Sequence, residues 1–189
     1  MIRIGILGDI GSGKSFVAQN FGYPVFNADQ EVEKLYQKNK KIFIKLRKKL
    51  PKYIHSFPIQ KKEISNAILS NNNNLIKIVK IVHLEIRKKM NIFLKKYKKS
   101  KIVILDIPLL LENKIDNEED ILVYVQSKKS EVLQRLKKRK NFNQILLNKF
   151  KVIQLPGSYK KKRSDHIIKN NFTKKSVKDA VENILKDVI

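Results

Sequence analysis

Eight consecutive residues, Gly8-Asp9-Ile10-Gly11-Ser12-Gly13-Lys14-Ser15, fit the pattern G-x-x-x-x-G-K-[ST] without a gap. Each residue type in that pattern has a physical reason. Gly8, Gly11 and Gly13 allow positive φ and let phosphate oxygens approach with no Cβ in the way. The N–H groups of such a loop form an anion nest at a helix N-terminus, where the helix dipole also favours negative charge. Lys14 offers an ammonium to the β- and γ-phosphates. Ser15 offers a hydroxyl to Mg²⁺, a hard cation that prefers oxygen ligands and keeps several of its waters. The chemistry is the binding of a nucleoside triphosphate.

The flanking residues supply the elements this loop needs. Ile2, Ile4, Ile6 and Leu7 form a short apolar run, as a buried parallel strand does, and Ser15–Phe21 reads as a helix ending near Gly22. A second short strand is expected over Tyr23–Asp29. It sets Asp29 at a carboxyl end, where the ligand crevice of an open α/β sheet lies, or at the N-cap of a helix over Gln30–Tyr36. Lys38–Lys99 is helical in pattern, broken at Pro51, Pro58 and Asn71–Asn74; the asparagine run reads as a linker without chemistry of its own. Leu75, Ile78, Val79, Val82, Ile86, Met90 and Phe93 make one apolar stripe, and the region is too long for a single crossover, so it is expected to form a helical insert over the crevice. His83, with Arg87 four residues on, has no second His at i±4, so spacing alone favours a structural residue over a metal ligand.

Lys101–Asp106 is a strand ending in an acid, and a strand-terminal Asp opposite a phosphate loop supports Mg²⁺ through water. Ile121–Val125 adds a strand. Lys129–Arg139 reads as a helix with Arg135 and Arg139 on one face, either a clamp for a transferring phosphoryl group or a solvated face. Asn141–Ile153 is a further basic helix ended by Pro156-Gly157; Ser164–Asn170 is a last strand and Lys174–Val188 a closing helix. Strands alternating with helices imply an α/β fold with a doubly wound parallel sheet.

Composition narrows the function. The chain has 189 residues, no Cys, and a formal charge of +25. The absence of Cys excludes disulfides, thiolate metal sites and cysteine nucleophiles. No apolar run approaches the ~20 residues of a membrane helix, and the chain enters a strand at once with no room for a signal peptide; a soluble, cytoplasmic protein is expected. The positive charge is spread along the chain together with abundant Asn and Ile, residues of A/T-rich codons. Codon bias and a polyanionic small substrate therefore account for it better than nucleic acid does. Asn113-Lys114-Ile115-Asp116 matches the guanine-reading N-K-x-D signature, but Asp106 is followed by Ile107-Pro108-Leu109 and not by a D-x-x-G switch, which excludes a GTPase.

Taken together these residues resemble the dephospho-CoA kinase family nearly end to end. Ile10–Ser15 is similar to its I-G-S-G-K-S, Asn27-Ala28-Asp29 to D-A-D, Val82-His83 to L-H-P, and Ile107-Pro108-Leu109-Leu110-Leu111-Glu112 to the hallmark V-P-L-L-F-E. Arg135–Arg139 resembles R-L-x-x-R, Gln154-Leu155-Pro156 with Lys160 resembles Q-M-P…K, and Ser164–Asn170 resembles A-D-x-V-I-x-N. The resemblance implies a P-loop kinase with a five-stranded parallel sheet. Its nucleotide core would span residues 1–29, 100–135 and 163–189, its helical acceptor-binding insert 30–99, and its lid 136–162. The implied reaction is ATP-dependent phosphorylation of the 3′-hydroxyl of dephospho-CoA, with Mg²⁺ held by Ser15 and, through water, by Asp106.

The resemblance carries ATP contact onto Gly8, Ile10, Gly11, Ser12, Gly13, Lys14, Ser15, Phe16, Lys160 and Asn170. Acceptor contact falls on Asp29, His83, Arg87, Pro108, Leu109, Leu110 and Glu112, and the catalytic roles on Asp29 (the general base), Lys14, Arg135 and Arg139. Departures stand at Leu7, Asp9, Asn27 and Leu84, where the family has Thr, Gly, Asp and Pro; a carboxylate at Asp9 would repel phosphate unless it points outward. A nucleoside or nucleotide kinase of the same fold, or an ATPase stimulated by nucleic acid, are the competing readings.

Overall fold

The computed structural model describes residues 1–189. In chain order the elements are β1 (Ile2–Gly8), α1 (Lys14–Asn20), β2 (Val25–Asn27), α2 (Ala28–Lys38), α3 (Lys40–Lys49), α4 (Lys61–Ser70), α5 (Asn72–Lys96), β3 (Ile102–Asp106), β4 (Ile121–Gln126), α6 (Lys129–Lys137), α7 (Gln144–Val152), α8 (Gly157–Lys162), β5 (His166–Lys169) and α9 (Lys174–Val188). They fall into two units. The first holds residues Met1–Asn27, Leu94–Phe142 and Gln154–Ile189, and the second Ala28–Phe93 and Asn143–Ile153.

The first unit is a five-stranded sheet in the order β2-β3-β1-β4-β5, with every pairing parallel. The central strands β3 and β4 read as continuous apolar runs because both their faces are covered, and every residue of β3 is buried. Ile4, Ile6, Ile102, Ile104, Val123, Val125 and Ile168 pack with Val17, Ala18 and Phe21 of the α1 segment and with Val177, Val181 and Ile184 of α9. The α9 residues recur at i, i+4 and i+7, the stripe by which an amphipathic helix lies on a sheet. Register sets the carboxyl edge: Gly8 lies opposite Val125, and Asn27 opposite Asp106. The ends of β1, β2 and β3 therefore deliver the phosphate loop, Asn27 and Asp106 to one edge of the sheet.

The second unit is helical. Leu75, Ile78, Val82, Ile86 and Met90 are buried along α5, as are Ile42 and Leu46 on α3 and Ile64, Ala67 and Ile68 on α4. Asn39 caps α3 through its side chain, which accepts from Ile42 N–H. Glu63 closes a capping box at the start of α4. Burial pushes the Glu63 carboxyl up, but donors from the backbone of His55, Ser56 and Gln60 and from the Ser56 hydroxyl together hold it below the usual carboxylate range.

Several boundaries differ from the sequence expectation. β2 covers Val25–Asn27 only, and α2 starts at Ala28, so Asp29 is neither a strand end nor an N-cap but a first-turn residue. Ala28 is a strong helix former, and acids at Asp29 and Glu31 complement the positive end of the helix dipole, which is why the helix takes these residues. The asparagine run is a tight helix junction and not a passive linker. Asn71 Oδ1 accepts from Asn73 N–H, while the buried Asn74 amide donates to Ala67 O and Ser70 Oγ. β5 is shorter than Ser164–Asn170, and α6 ends at Lys137, leaving Arg139 beyond the helix. The stretch expected as a lid is divided, with 136–142 and 154–162 in the sheet unit and 143–153 in the helical one. No helix is long and apolar enough to cross a membrane.

Ile104 is fully buried at the centre of the sheet core. Ile104→Ala is expected to lower unfolding free energy by about 2–5 kcal/mol, read from the midpoint of a urea titration; a change within about 0.5 kcal/mol is what surface positions give and would contradict the packing described.

Candidate active site

The turn between β1 and α1 takes a conformation only glycine accommodates at its critical points. Gly8, Gly11 and Gly13 have φ of 146°, 84° and 91°. A Cβ on Gly8 would lie 2.7 Å from both Ser12 Oγ and Val125 O, one on Gly11 would lie 3.0 Å from Val132 and Leu136 of α6, and one on Gly13 would collide with the Asn170 side chain. Gly13 is the N-cap of α1 and supplies no side-chain hydrogen bond, so the first-turn N–H groups depend on another acceptor. Phosphate oxygens suit that place in charge and geometry.

The loop is braced from outside. Ser12 O accepts from Ser127 Oγ at 2.9 Å and from the buried Asn170 amide at 2.8 Å, and Asn170 Oδ1 accepts from Phe172 N–H at 2.8 Å. Lys14 arches back over the loop, its Nζ donating to Gly8 O at 3.0 Å and Asp9 O at 2.9 Å. The Asp9 side chain is turned toward Gly157 and Tyr124: a Cβ built on Gly157 would lie 3.2 Å from Asp9 Oδ1 and 2.9 Å from the Tyr124 hydroxyl. Burial and the Asp9 charge together raise the Tyr124 phenol above its ordinary range.

Three polar side chains meet beside the loop. Asn27 Nδ2 donates to Asp106 Oδ2 at 2.6 Å and lies 3.5 Å from Ser15 Oγ, and the Ser15 hydroxyl also donates to Asp106. Asp106 is 3% exposed, and burial pushes its carboxyl up; the Ser15 hydrogen bond, the Lys14 charge and the Asn27 hydrogen bond act in the opposite sense. A hydroxyl with one carboxylate is a hard-oxygen donor set suited to Mg²⁺, which takes one or two protein groups and otherwise water and substrate phosphate. No group of three or more His, Asp or Glu side chains is gathered as a self-sufficient metal cage.

Uncapped loop, arching lysine, and a hydroxyl beside a buried carboxylate together describe a kinase-type triphosphate site. The family model for dephospho-CoA kinase matches residues 2–176 of this chain. The chain belongs to the dephospho-CoA kinase family. A dephospho-CoA kinase of Wolbachia pipientis is 35% identical over 187 residues, covering 96% of this chain and 95% of that one. Among solved structures, a Thermus thermophilus protein superposes with a TM-score of 0.76 at 24% identity, over 100% of this chain and 98% of its own. The dephospho-CoA kinase of Campylobacter jejuni gives 0.65 at 18% identity, over 98% and 96%. The parallel five-stranded fold is thus that of the P-loop kinases, and the chain is an ATP-using kinase acting at the last step of coenzyme A synthesis.

For a dephospho-CoA kinase, several residues singled out by motif sit where sequence does not foretell. Lys160 is 1% exposed, and its Nζ lies 2.9 Å from Glu112 Oε1, an ion pair without the alignment of a good hydrogen bond. The same Glu112 oxygen accepts from Leu155 N–H at 2.9 Å, so this carboxylate ties the 154–160 segment to the Pro108–Glu112 turn. Pro108 and Leu109 of that turn are partly exposed, whereas Leu110 is fully buried and belongs to the core. Asn170 braces the loop through Ser12. The Arg135 guanidinium stacks on the Phe172 ring at 4.2 Å. Arg139 lies past the end of α6 and so does not share a helical face with it.

Ile10 is partly exposed on the loop and Phe16 exposed on α1, while the Ser12 hydroxyl is buried without a hydrogen-bond partner. In the helical unit Asp29 is exposed in the first turn of α2. His83 and Arg87 lie one turn apart on α5. The His83 Nε2 is buried without a partner, and burial, then the Arg87 charge, lower its pKa, which keeps the imidazole neutral near pH 7. Ser127, directly after β4, and Phe172, three residues past the end of β5, brace the loop and seat Arg135 and carry no motif.

Removing one partner of the Glu112–Lys160 pair leaves the other charge buried. Lys160→Met is expected to destabilise the protein by about 3–5 kcal/mol, and Lys160→Met with Glu112→Gln by clearly less than the sum of the single changes. Urea unfolding of the four proteins of this cycle reads the coupling; additive effects would show that the two groups do not depend on each other.

Proposed function

We propose that this chain transfers the γ-phosphoryl group of ATP to the 3′-hydroxyl of dephospho-CoA with the residues just described. The observation that carries the reading is the convergence of the uncapped phosphate loop, Lys14, Ser15 and the buried Asp106 at one sheet edge, in a chain matched to the family over residues 2–176. In the transfer, a bond forms between the 3′-oxygen and the γ-phosphorus, the bond from that phosphorus to the β–γ bridging oxygen breaks, and ADP leaves. Phosphoryl transfer of this kind asks the protein chiefly for positioning and charge neutralisation.

The loop N–H groups and Lys14 bind the β- and γ-phosphate oxygens, Lys14 exchanging its hold on Gly8 O and Asp9 O for them. Ser15 and, through water, Asp106 would hold Mg²⁺, which when bound neutralises charge on the same oxygens. Arg135 and Arg139 add positive charge at the γ-phosphate. Asp29 orients the acceptor hydroxyl and takes its proton late in the reaction. His83, Arg87 and the Pro108–Glu112 turn hold the acceptor, with neutral His83 able to donate or accept a hydrogen bond. Glu112 contributes by fixing the turn to Lys160 and Leu155.

Kinetics of single variants test these roles. Lys14→Ala is expected to lower kcat by at least ~10³-fold, the scale for loss of a preorganised transition-state charge stabiliser. Asp29→Asn is expected to lower kcat by ~10²-fold or more with nucleotide affinity unchanged. A Lys14→Ala loss below tenfold, or near-normal turnover in Asp29→Asn, would remove that residue from the mechanism.

A further inference from the structure

Asn27 is the last residue of β2, and its Cα pairs in register with Asp106 at the end of β3. Its amide is a donor at 2.6 Å from Asp106 Oδ2 and at 3.5 Å from Ser15 Oγ. Ser15 itself donates to the same carboxylate. A carboxylate that is 3% exposed has few rotamers and little water to choose from, so two donors on it decide which way its lone pairs face. An Asp at position 27 could not do this: two carboxylates at that separation repel, and neither can donate when ionised. The asparagine, a departure when judged by motif, fills a gap that the buried acid would otherwise leave.

We infer that Asn27 is a positioning residue for the magnesium-facing pair, its amide holding the Asp106 carboxylate toward Ser15 so that both present oxygen to the cation that accompanies ATP. The inference rests on the reading of Ser15 and Asp106 as the metal-facing groups. In this assignment Asn27 acts through Asp106 and not by binding substrate itself. Partners of metal-facing groups fix the orientation of those groups, and their loss costs ~10–100-fold in metal affinity. The magnesium-dependent part of ATP affinity is therefore Asn27's signature, and binding of ATP without metal, carried by the loop and Lys14, is independent of it.

Calorimetric titration of the full chain with ATP, in excess Mg²⁺ and again in a chelator, reads both quantities without turnover. Asn27→Leu is expected to cut the magnesium-dependent gain in affinity by ~10-fold or more while leaving metal-free ATP binding within about twofold. Ser15→Ala run alongside separates the two levels. If Ser15→Ala loses the gain and Asn27→Leu keeps it, the inference is overturned and the metal reading stands; if Ser15→Ala keeps it as well, both fall. Equal weakening of ATP binding with and without metal in Asn27→Leu means a general structural role and likewise overturns the inference. Should Asn27→Leu not yield folded protein, Asn27→Ala removes the same donor with a smaller side chain and is expected to cut the gain likewise; an unchanged gain in that variant overturns the inference.

Discussion

Everything in this molecule is arranged around a stretch of backbone that must turn from β1 into α1 with its N–H groups facing outward and no side chain in the way. Three glycines at positive φ make the turn possible, but they do not hold it. Glycine is the residue with most conformational freedom to lose, so the loop needs bracing from the rest of the fold. Asn170 after β5 and Ser127 after β4 both donate to Ser12 O, and Val132 and Leu136 of α6 lie against Gly11. Strand order places those elements on the β4–β5 side of the loop, while β2 and β3 bring Asn27 and Asp106 to the other side. The topology is therefore a device for bracing a flexible loop from one flank and supplying its acid from the other.

Charge is arranged with the same economy. Lys14 rests on two carbonyls of its own loop, Gly8 O and Asp9 O, which holds its ammonium, largely shielded from solvent, over the phosphate loop. Asp9, a carboxylate inside a phosphate-binding loop, is directed toward Gly157 and Tyr124, which leaves the loop's N–H groups unopposed. A Cβ at 157 would press on the Tyr124 hydroxyl and the Asp9 carboxylate, so the acid at position 9 and the bare backbone at position 157 fit each other. The excess of 42 basic over 17 acidic residues, spread along the chain, adds a general attraction for polyanionic substrates.

The sequence was most legible where chemistry constrains residue type and spacing together. The phosphate loop, the strand-terminal Asp106 and α9 over Lys174–Val188 could be read from it because glycine placement, apolar runs and helical periodicity are local properties. What could not be read is decided by partners distant in sequence. Lys160 and Glu112 each look like ligands for substrate, yet they lie 2.9 Å apart, 48 positions apart in the chain, and nothing local announces that pairing. Asn170 likewise carries a bond to Ser12 O, 158 residues away, that nothing local announces. Asp29 shifted from strand end to helix by two residues, the usual scale on which helix propensity and strand propensity compete at a boundary. Asn27 was visible only as a mismatch to a motif, because a hydrogen bond across two strands leaves no trace in spacing.

The central claim is that this site moves one phosphoryl group from ATP to dephospho-CoA. Its most direct test is ADP release by the purified chain with ATP and Mg²⁺, with and without dephospho-CoA, followed by mass analysis of the acceptor. The account predicts ADP release that depends on acceptor and a product heavier by one phosphoryl group, esterified at the 3′-oxygen of the ribose. Tight ATP binding with no heavier product, or ADP release that is the same without acceptor, would contradict it.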